Sequence, residues 1–245
     1  MSAPMPQSDS PLTMFPDGGL AVVLGAGGGI GAAVLQTLRQ RDDFAAVLGF
    51  GRGSDPPFDL LDEASIARVA DDIAAAEAPP RLIFDATGVL HGEGLSPEKT
   101  WRQLDPEALA RAFAINAIGP ALLMKHLLPL LPTEGKAIFA TLSARVGSIA
   151  DNRAGGWWGY RASKAALNQV VRTAAVELAR RRPEALCVAL HPGTVDTPLT
   201  RPFAKTGLTV RSPETAAAEL LAVLDRLAPA DSGGFYDYRG EAVPW

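Results

Sequence analysis

Tyr160 and Lys164 are a phenol and an ammonium that could act together in proton transfer. They lie four residues apart in the segment GWWGYRASKAALNQVV, residues 155–170. On a helix this spacing puts both side chains on one face, about 5–6 Å apart at Cβ. A tyrosine hydroxyl is a poor acid or base at neutral pH, but a nearby ammonium lowers its pKa. The pair therefore indicates proton-transfer chemistry, with a solvated helix face as the alternative.

Ser143 and Asn116 are two further polar residues that could reach the same place. Ser143 follows the strand-like run AIFATL and could donate to a substrate oxygen, although a lone serine after a strand is usually a turn residue. Asn116 lies in a helical pattern just before Gly119 and Pro120, where a carboxamide is unfavourable unless it bonds something. It either serves the chemistry or satisfies a kinked helix.

A glycine-rich turn, GAGGGIG, follows the first predicted strand and precedes the helical segment AAVLQTLRQ. Glycines at this place allow a tight turn and let a pyrophosphate approach the helix N-terminus. Two registers fit the sequence. Gly27, Gly29 and Ala32 match one dinucleotide fingerprint, whereas Gly25, Gly29 and Gly31 match a GxxxGxG spacing. The position favours dinucleotide binding over a merely flexible turn.

The residues after the second predicted strand favour NADP(H) over NAD(H). NAD sites place an acid there for the ribose 2′-OH, but this chain has LGFGRGS, with Arg52 and no acid. An arginine can pair with a 2′-phosphate; a solvated Arg52 is the alternative. Further on, Asp59, followed by Leu60, could hydrogen-bond an adenine edge. Asp59 or Asp62 could equally cap the next helix.

The elements that must position these residues alternate along the chain. Apolar runs rich in Val, Ile, Leu and Phe are each followed by a helical pattern, which predicts an α/β fold, a doubly wound parallel sheet with helices on both faces. Asp105 and Ser212 each precede a proline and an acid, a signature of helix starts. We expect one domain over residues 18–245 after a flexible extension over residues 1–17.

Composition restricts the possible partners. The chain has 245 residues, 47% of them hydrophobic, and a net charge of −4 without a basic patch, which argues against nucleic acid. Its single cysteine cannot form an internal disulfide. Three histidines without neighbouring ligands argue against a metal. No apolar run reaches the roughly 18 residues of a membrane span, so we expect a cytoplasmic protein with no membrane contact.

Taken together, these motifs resemble the short-chain dehydrogenase/reductase family over about residues 19–245. The segments SARVGSIADNRAGGWWGYRASKAALN and GGFYDYRGEAVPW are similar to its C-factor-like or sniffer-like carbonyl reductases. The resemblance implies a single-domain Rossmann fold and the interconversion of a carbonyl and an alcohol with NAD(P)H. The residues that carry it are Gly25, Gly29 and Gly31 of GxxxGxG, Asn116, Ser143, Tyr160 and Lys164, and the segment HPGTVDTPL.

The resemblance also implies a role for each of four catalytic residues. Tyr160 would be the general acid in reduction and the base in the reverse direction. Lys164 would hold the nicotinamide ribose and lower the Tyr160 pKa. Ser143 would orient the carbonyl oxygen, and Asn116 would hold a water that relays protons from Lys164.

For the cofactor, the resemblance implies contacts from the strand ends, with Val195 and Thr197 at the nicotinamide carboxamide. The chain departs from the family pattern at two places. Leu24 replaces a common threonine. Residues 85–88, DATG, replace the Asn-Asn-Ala-Gly turn that follows the family's fourth strand, and the loss of the asparagine side chain puts the sheet-stabilising role of this turn in doubt. The expected contacts are Gly25, Gly29, Ile30, Gly31, Arg52, Asp59, Leu60, Gly88, Asn116, Tyr160, Lys164, Pro192, Val195 and Thr197.

Substrate choice would depend on residues 145–159 and on residues 198–212, a lid-like segment. Trp157 and Trp158 either wall an apolar pocket or form a subunit contact. The family resemblance implies a homodimer or homotetramer built on the long helices at about 106–131 and 160–181. The alternative function is that of a cofactor-binding signalling or regulatory protein of C-factor type, which needs the cofactor but not turnover.

Overall fold

The protein is described by a computed structural model, which covers residue 12 and residues 15–92, 94–203 and 209–245. Most of the predicted extension over residues 1–17, and residues 204–208 of the predicted lid, lie outside the described residues. Eight strands are present in the described part of the chain: β1 Leu20–Leu24, β2 Ala46–Phe50, β3 Pro80–Asp85, β4 Ala137–Leu142, β5 Ala185–His191, β6 Thr194–Val195, β7 Val210–Arg211 and β8 Phe235–Asp237.

Six strands form one parallel sheet in the order β2-β1-β3-β4-β5-β8, and β6 pairs with β7 separately. The helices are α1 Gly29–Arg39, α2 Glu63–Ala74, α3 Pro106–Phe113, α4 Gly119–Leu127, α5 Trp158–Leu178 and α6 Pro213–Arg226. They cover both faces of the large sheet, in two separate apolar clusters. One face carries α2, α4 and α5, and the other carries α1 and α6. The predicted doubly wound fold is therefore confirmed.

Helix starts follow the predicted capping residues. Asp105 accepts from the Ala108 N–H at 2.8 Å and Ser212 from the Thr215 N–H at 3.1 Å, which starts α3 and α6. Asp62 caps α2 by accepting from the Ala64 N–H at 3.0 Å. This decides between the two candidate caps, because Asp59 lies outside the helix start.

A π-helical turn, Ala114–Ile118, joins α3 to α4. The continuous helical stretch Pro106–Leu130 is long and apolar enough to cross a membrane by length and composition alone. Its Leu123 and Leu127 are fully buried in the core of the sheet. A core helix of a globular domain has the same composition. Single π-turns inside helices often mark functional sites, and this turn contains the buried Asn116.

The carboxyl ends of the parallel strands meet at one edge of the sheet. The glycine turn follows β1, Asp85 ends β3, Ser143 follows β4, and residues 192–197 follow β5. In open α/β sheets ligands bind outside this edge. The glycine turn, Ser143 and the segment that contains Thr197 therefore lie at the edge where a ligand would bind.

Candidate active site

Tyr160 and Lys164 lie on the first two turns of α5, with Lys164 Nζ 6.0 Å from the centre of the Tyr160 ring. Lys164 is buried, and its Nζ donates to the Leu142 carbonyl at 2.8 Å. Burial raises the pKa of Tyr160 to about 12 and lowers the pKa of Lys164 to about 8. The predicted lowering of the Tyr160 pKa is wrong for this structure, because burial of the phenol raises its pKa.

Asp85 is a buried acid next to this pair that was not predicted as a site residue. Its carboxylate accepts from the Thr87 N–H at 2.9 Å, the Thr87 hydroxyl at 2.6 Å and the Thr141 hydroxyl at 2.7 Å. Burial raises the pKa of Asp85, while these bonds and the Lys164 charge oppose that rise. The Asp85 charge in turn raises the pKa of Lys164 against the effect of burial. Asp85 therefore ties β3 to β4, the stabilising role that the missing Asn-Asn turn put in doubt.

Asn116 is fully buried in the π-turn and bonds to two other segments. Its Oδ1 accepts from the Val89 N–H at 2.8 Å, and its Nδ2 donates to the Val89 carbonyl at 2.9 Å and to Ser163 Oγ at 3.2 Å. A Cβ added to Gly88 would lie 3.4 Å from both Asn116 Oδ1 and Lys164 Nζ. Because both Asn116 donors are engaged by protein atoms, its side chain fixes the loop after β3. The water relay through Asn116 stays a prediction.

Ser143 follows β4 as expected and is 4% exposed. Its N–H donates to the Leu190 carbonyl at 2.8 Å, and its Oγ donates to Asn168 Oδ1 at 2.6 Å. Asn168 is 3% exposed and was not predicted as a site residue. Its sequence signal is its spacing, one turn beyond Lys164 and two turns beyond Tyr160 on the same helix face.

The glycine turn has the GxxxGxG register. A Cβ on Gly31 would lie 2.3 Å from the Gly25 carbonyl oxygen, and Gly25 itself has a φ of 75°. Gly27, which only the other register needs, has no neighbour within 4 Å of an added Cβ. Helix α1 begins at Gly29 without an acid in its first turn or a side-chain cap. Its free N–H groups and the open space at Gly27 fit a bound pyrophosphate.

Arg52 lies in the loop after β2, beside this turn. A Cβ on Gly51 would lie 3.2 Å from the Gly27 nitrogen, so the loop packs against the glycine turn. Arg52 is exposed and forms no ion pair with any other described residue, which leaves it available to a phosphate. Among the other predicted contacts, Asp59 is exposed and accepts from the Leu61 N–H at 2.9 Å.

Leu60 and Ile30, two further predicted cofactor contacts, are partly buried in the apolar layers. A Cβ on Gly119 would lie 2.5 Å from Leu60 Cγ, so the Leu60 side chain packs on the start of α4. Ile30 packs against the cluster on the α1 side of the sheet. Both side chains therefore support the walls next to the glycine turn.

The segment after β5 reaches the same turn. It starts at Pro192 and bends at Gly193, which has a φ of 75°. Val195 is buried in β6, and the methyl group of Thr197 would lie 2.5 Å from a Cβ on Gly29. The structure thus brings Thr197 against the start of α1, and its contact with the nicotinamide carboxamide stays a prediction.

A row of aromatic rings leads from Tyr160 to the segment after Thr197. The Trp157 ring lies 6.2 Å from the Tyr160 ring and 5.3 Å from the Phe203 ring, which lies 5.4 Å from the His91 ring. His91 Nε2 lies 3.1 Å from the Pro198 carbonyl oxygen. Trp157 is therefore on the Tyr160 side and able to contact a substrate there.

Trp158 lies on a different surface. It is 42% exposed and, with the 67% exposed Trp101, lines a cavity of about 360 Å³. The two neighbouring tryptophans therefore have different surroundings, and the choice between pocket wall and subunit contact stays a prediction for each. Only Trp157 belongs to the row of rings at Tyr160.

Glu98 fixes the start of α5 and was not predicted as a site residue. Its carboxylate accepts from the Gly159 N–H at 3.1 Å, and its carbonyl accepts from the Trp157 N–H. Trp157 has a φ of 54°, the one non-glycine residue in the described part of the chain with a positive φ. A buried carboxylate at a helix N-terminus is favourable. Glu98 therefore positions both Trp157 and the first turn that carries Tyr160.

The structure adds two observations on the histidines. Burial lowers the pKa of His191 to about 4, so this side chain is neutral at physiological pH. Within the described ranges, no three His, Cys, Asp or Glu side chains lie close enough to hold a metal ion together.

Known proteins similar to this chain include oxidoreductases and a protein named C-signal. A family model described as enoyl-(acyl carrier protein) reductase matches residues 28–225. The C-signal of Myxococcus xanthus is 41% identical over 143 residues, 58% of this chain and 81% of that protein. The 1-hydroxy-2-glutathionyl-2-methyl-3-butene dehydrogenase of Rhodococcus sp. (strain AD45) is 30% identical over 233 residues, 91% of this chain and 98% of that protein.

Solved structures share the fold. The carbonyl reductase Sniffer of D. melanogaster has a TM-score of 0.79 at 21% identity, covering 94% of this chain and 100% of that one. The NADPH-bound carbonyl reductase from chicken fatty liver has a TM-score of 0.79 at 24% identity, covering 95% and 96%. The family resemblance predicted from the motifs is thereby confirmed. The chain belongs to the short-chain dehydrogenase/reductase family, whose members are nicotinamide-dependent oxidoreductases.

Proposed function

We propose that the protein reduces small-molecule carbonyl compounds with NADPH. The observation that carries the proposal is the convergence of Tyr160, Lys164 and Ser143 at the sheet edge that holds the glycine turn. A pure binding protein has no physical need for a phenol and an ammonium on neighbouring turns of one helix at this place. The NADPH bound by the chicken carbonyl reductase supports the same cofactor here.

In the proposed reaction the glycine turn, Arg52 and Lys164 would hold NADPH, which would supply the hydride that reduces the carbonyl carbon. Tyr160 gives its hydroxyl proton to the carbonyl oxygen. Its pKa of about 12 keeps the phenol protonated at neutral pH, the form that reduction requires. Ser143 hydrogen-bonds to the same oxygen, and Lys164 holds the ribose of the cofactor. Burial of Ser143 and Lys164 keeps bulk water away from their side of the developing alkoxide.

The proposal is tested by following NADPH oxidation with the purified chain and a panel of aldehydes, ketones and quinones. We expect turnover that requires both the carbonyl compound and NADPH. If no compound is reduced while NADPH binds normally, the enzymatic proposal is wrong and a binding role is favoured.

Arg52 should determine the preference for NADPH. We expect Arg52→Ala to raise the Kd for NADPH about tenfold and to leave the Kd for NADH unchanged, because only NADPH carries the 2′-phosphate that a guanidinium binds. The Kd values are measured by calorimetric titration. The matched control is Arg180→Ala, because Arg180 is an exposed arginine just after the end of α5. This substitution should change neither the Kd for NADPH nor the Kd for NADH. Equal affinities of the parent protein for the two cofactors would contradict the assignment.

Trp157 should contribute to substrate binding. We expect Trp157→Ala to raise the KM for an aromatic carbonyl substrate about tenfold with a smaller change in kcat, because it removes a ring beside Tyr160 but no reacting group. Alanine and tryptophan are both disfavoured in the left-handed backbone conformation of residue 157. The substitution therefore measures the effect of the missing ring. The control is Trp158→Ala, which alters the neighbouring ring on the other surface. Equal effects of the two substitutions on KM would argue against a substrate contact by Trp157.

A second candidate function rests on the 41% identity to a protein named C-signal. In that case the chain acts as a cofactor-binding regulator and does not need turnover. The two functions predict different outcomes for variants at Tyr160 and in the glycine turn, because only the enzyme needs the phenol whereas both functions need the cofactor.

A further inference from the structure

The end of β4 is held to α5 by two hydrogen bonds one helical turn apart. Lys164 Nζ donates to the Leu142 carbonyl at 2.8 Å, and Ser143 Oγ donates to Asn168 Oδ1 at 2.6 Å. Ser143 and Asn168 are 4% and 3% exposed, so bulk water hardly competes for either side chain. In this arrangement the single hydroxyl proton of Ser143 is donated to Asn168.

The Asn168 amide also has an unused donor. Its Nδ2 is buried and has no hydrogen-bond partner among the described residues. Turning the amide by 180° would bring Nδ2 against Ser143 Oγ and move Oδ1 to the unpartnered position. A buried carbonyl oxygen with free lone pairs is tolerated better than a buried N–H without an acceptor. In one orientation of the amide the Ser143 hydroxyl donates to Asn168, and in the other it can donate to another acceptor.

We propose that Asn168 is a positioning residue that sets the direction of the Ser143 hydroxyl proton. The inference rests on the proposed function, in which Ser143 donates to the substrate carbonyl oxygen. With Oδ1 towards Ser143, the Ser143 hydroxyl donates to the asparagine and has no proton left for the substrate. With Nδ2 towards Ser143, the serine accepts from the amide and donates to the substrate. The substrate oxygen supplies the acceptor that favours this second orientation.

Two nearly isosteric substitutions test this role. In Asn168→Asp an ionised carboxylate can only accept, and it binds a hydroxyl proton more strongly than an amide does. We expect kcat to fall about 100-fold, the effect of losing one donor to the oxyanion. In Asn168→Leu nothing holds the proton, and we expect kcat to fall less than about tenfold. The Kd for NADPH should be unchanged in both variants.

A purely structural role predicts the opposite order, because aspartate keeps the bond to Ser143 and leucine loses it. An Asn168→Asp enzyme as active as the parent, or an Asn168→Leu enzyme less active than Asn168→Asp, would overturn the proposal. Thermal unfolding shows whether each variant is folded.

If Asn168→Asp does not fold, Asn168→Leu is compared with Ser143→Ala. We expect the leucine variant to keep at least about ten times the kcat of Ser143→Ala, since its serine can still donate; equal losses would contradict the inference. The proposed function would be refuted by a different result, a parent protein without carbonyl turnover or a Tyr160→Phe variant with full turnover. Either result would also refute the proposed role of Asn168, because that role rests on the proposed function.

Discussion

Replacing Tyr160 with phenylalanine is expected to lower kcat for carbonyl reduction by about 10²–10⁴-fold, the usual contribution of a positioned general acid. The substitution removes one hydroxyl and keeps the ring that packs against Trp157. The Kd for NADPH should rise less than about tenfold, because at most one neutral hydrogen bond is lost. Steady-state kinetics and calorimetric titration measure the two quantities.

The matched control is the same chemical change at a tyrosine in β8. The Tyr236 hydroxyl donates to the Asp231 carbonyl at 3.2 Å, at the opposite edge strand of the sheet from β2. Tyr236→Phe should therefore keep the parent kcat. A Tyr160→Phe enzyme with the kcat of the parent and an unchanged unfolding temperature would show that another group gives the proton.

Helix starts that depend on a neighbouring capping residue were predicted well from the sequence. Asp105 and Ser212 lie next to the helices that they cap, so their effect is visible in a few residues of sequence. The start of α5 is different. Its cap is the carboxylate of Glu98, which lies 61 residues before Gly159. The start predicted at about residue 160 lies two residues after the observed start at Trp158, because no local pattern marks that residue.

The residue types of the site were predictable, but their pairing was not. Tyr160 and Lys164 share a helix face by spacing alone. The bond from Ser143 to Asn168 joins residues 25 apart, and its existence depends on how α5 packs on β4. The pKa of Tyr160 depends on the same packing. Spacing predicted a charge that lowers it, whereas burial raises it to about 12.

The glycine turn is the clearest case of an ambiguity that geometry removes. Spacing alone allowed both Gly27 and Gly31 as essential positions. The structure separates them, because a Cβ on Gly31 would lie 2.3 Å from a backbone oxygen, whereas a Cβ on Gly27 meets nothing within 4 Å. Backbone atoms cannot move aside as a flexible side chain can. The two positions should therefore respond very differently to the same added methyl group.

Gly31→Ala is accordingly expected to lower the free energy of unfolding by about 1–3 kcal/mol, the cost of overpacking a tight site. Because the strain falls on the Gly25 backbone, the turn that faces the cofactor must shift. We expect the Kd for NADPH to rise about 10–100-fold. Chemical denaturation and calorimetric titration measure the two effects. Gly27→Ala adds the same methyl group in open space and should change the free energy of unfolding by less than about 0.5 kcal/mol.

The same glycine variant, compared with Tyr160→Phe, distinguishes the two candidate functions. An enzyme loses activity in both variants, through the acid in one and through the cofactor in the other. A cofactor-dependent regulator keeps its effect in Tyr160→Phe and loses it in Gly31→Ala. Parent-like NADPH binding by Gly31→Ala would contradict the GxxxGxG register itself. That result would mean that the Gly25 carbonyl can move away from a Cβ at residue 31 without disturbing the cofactor site.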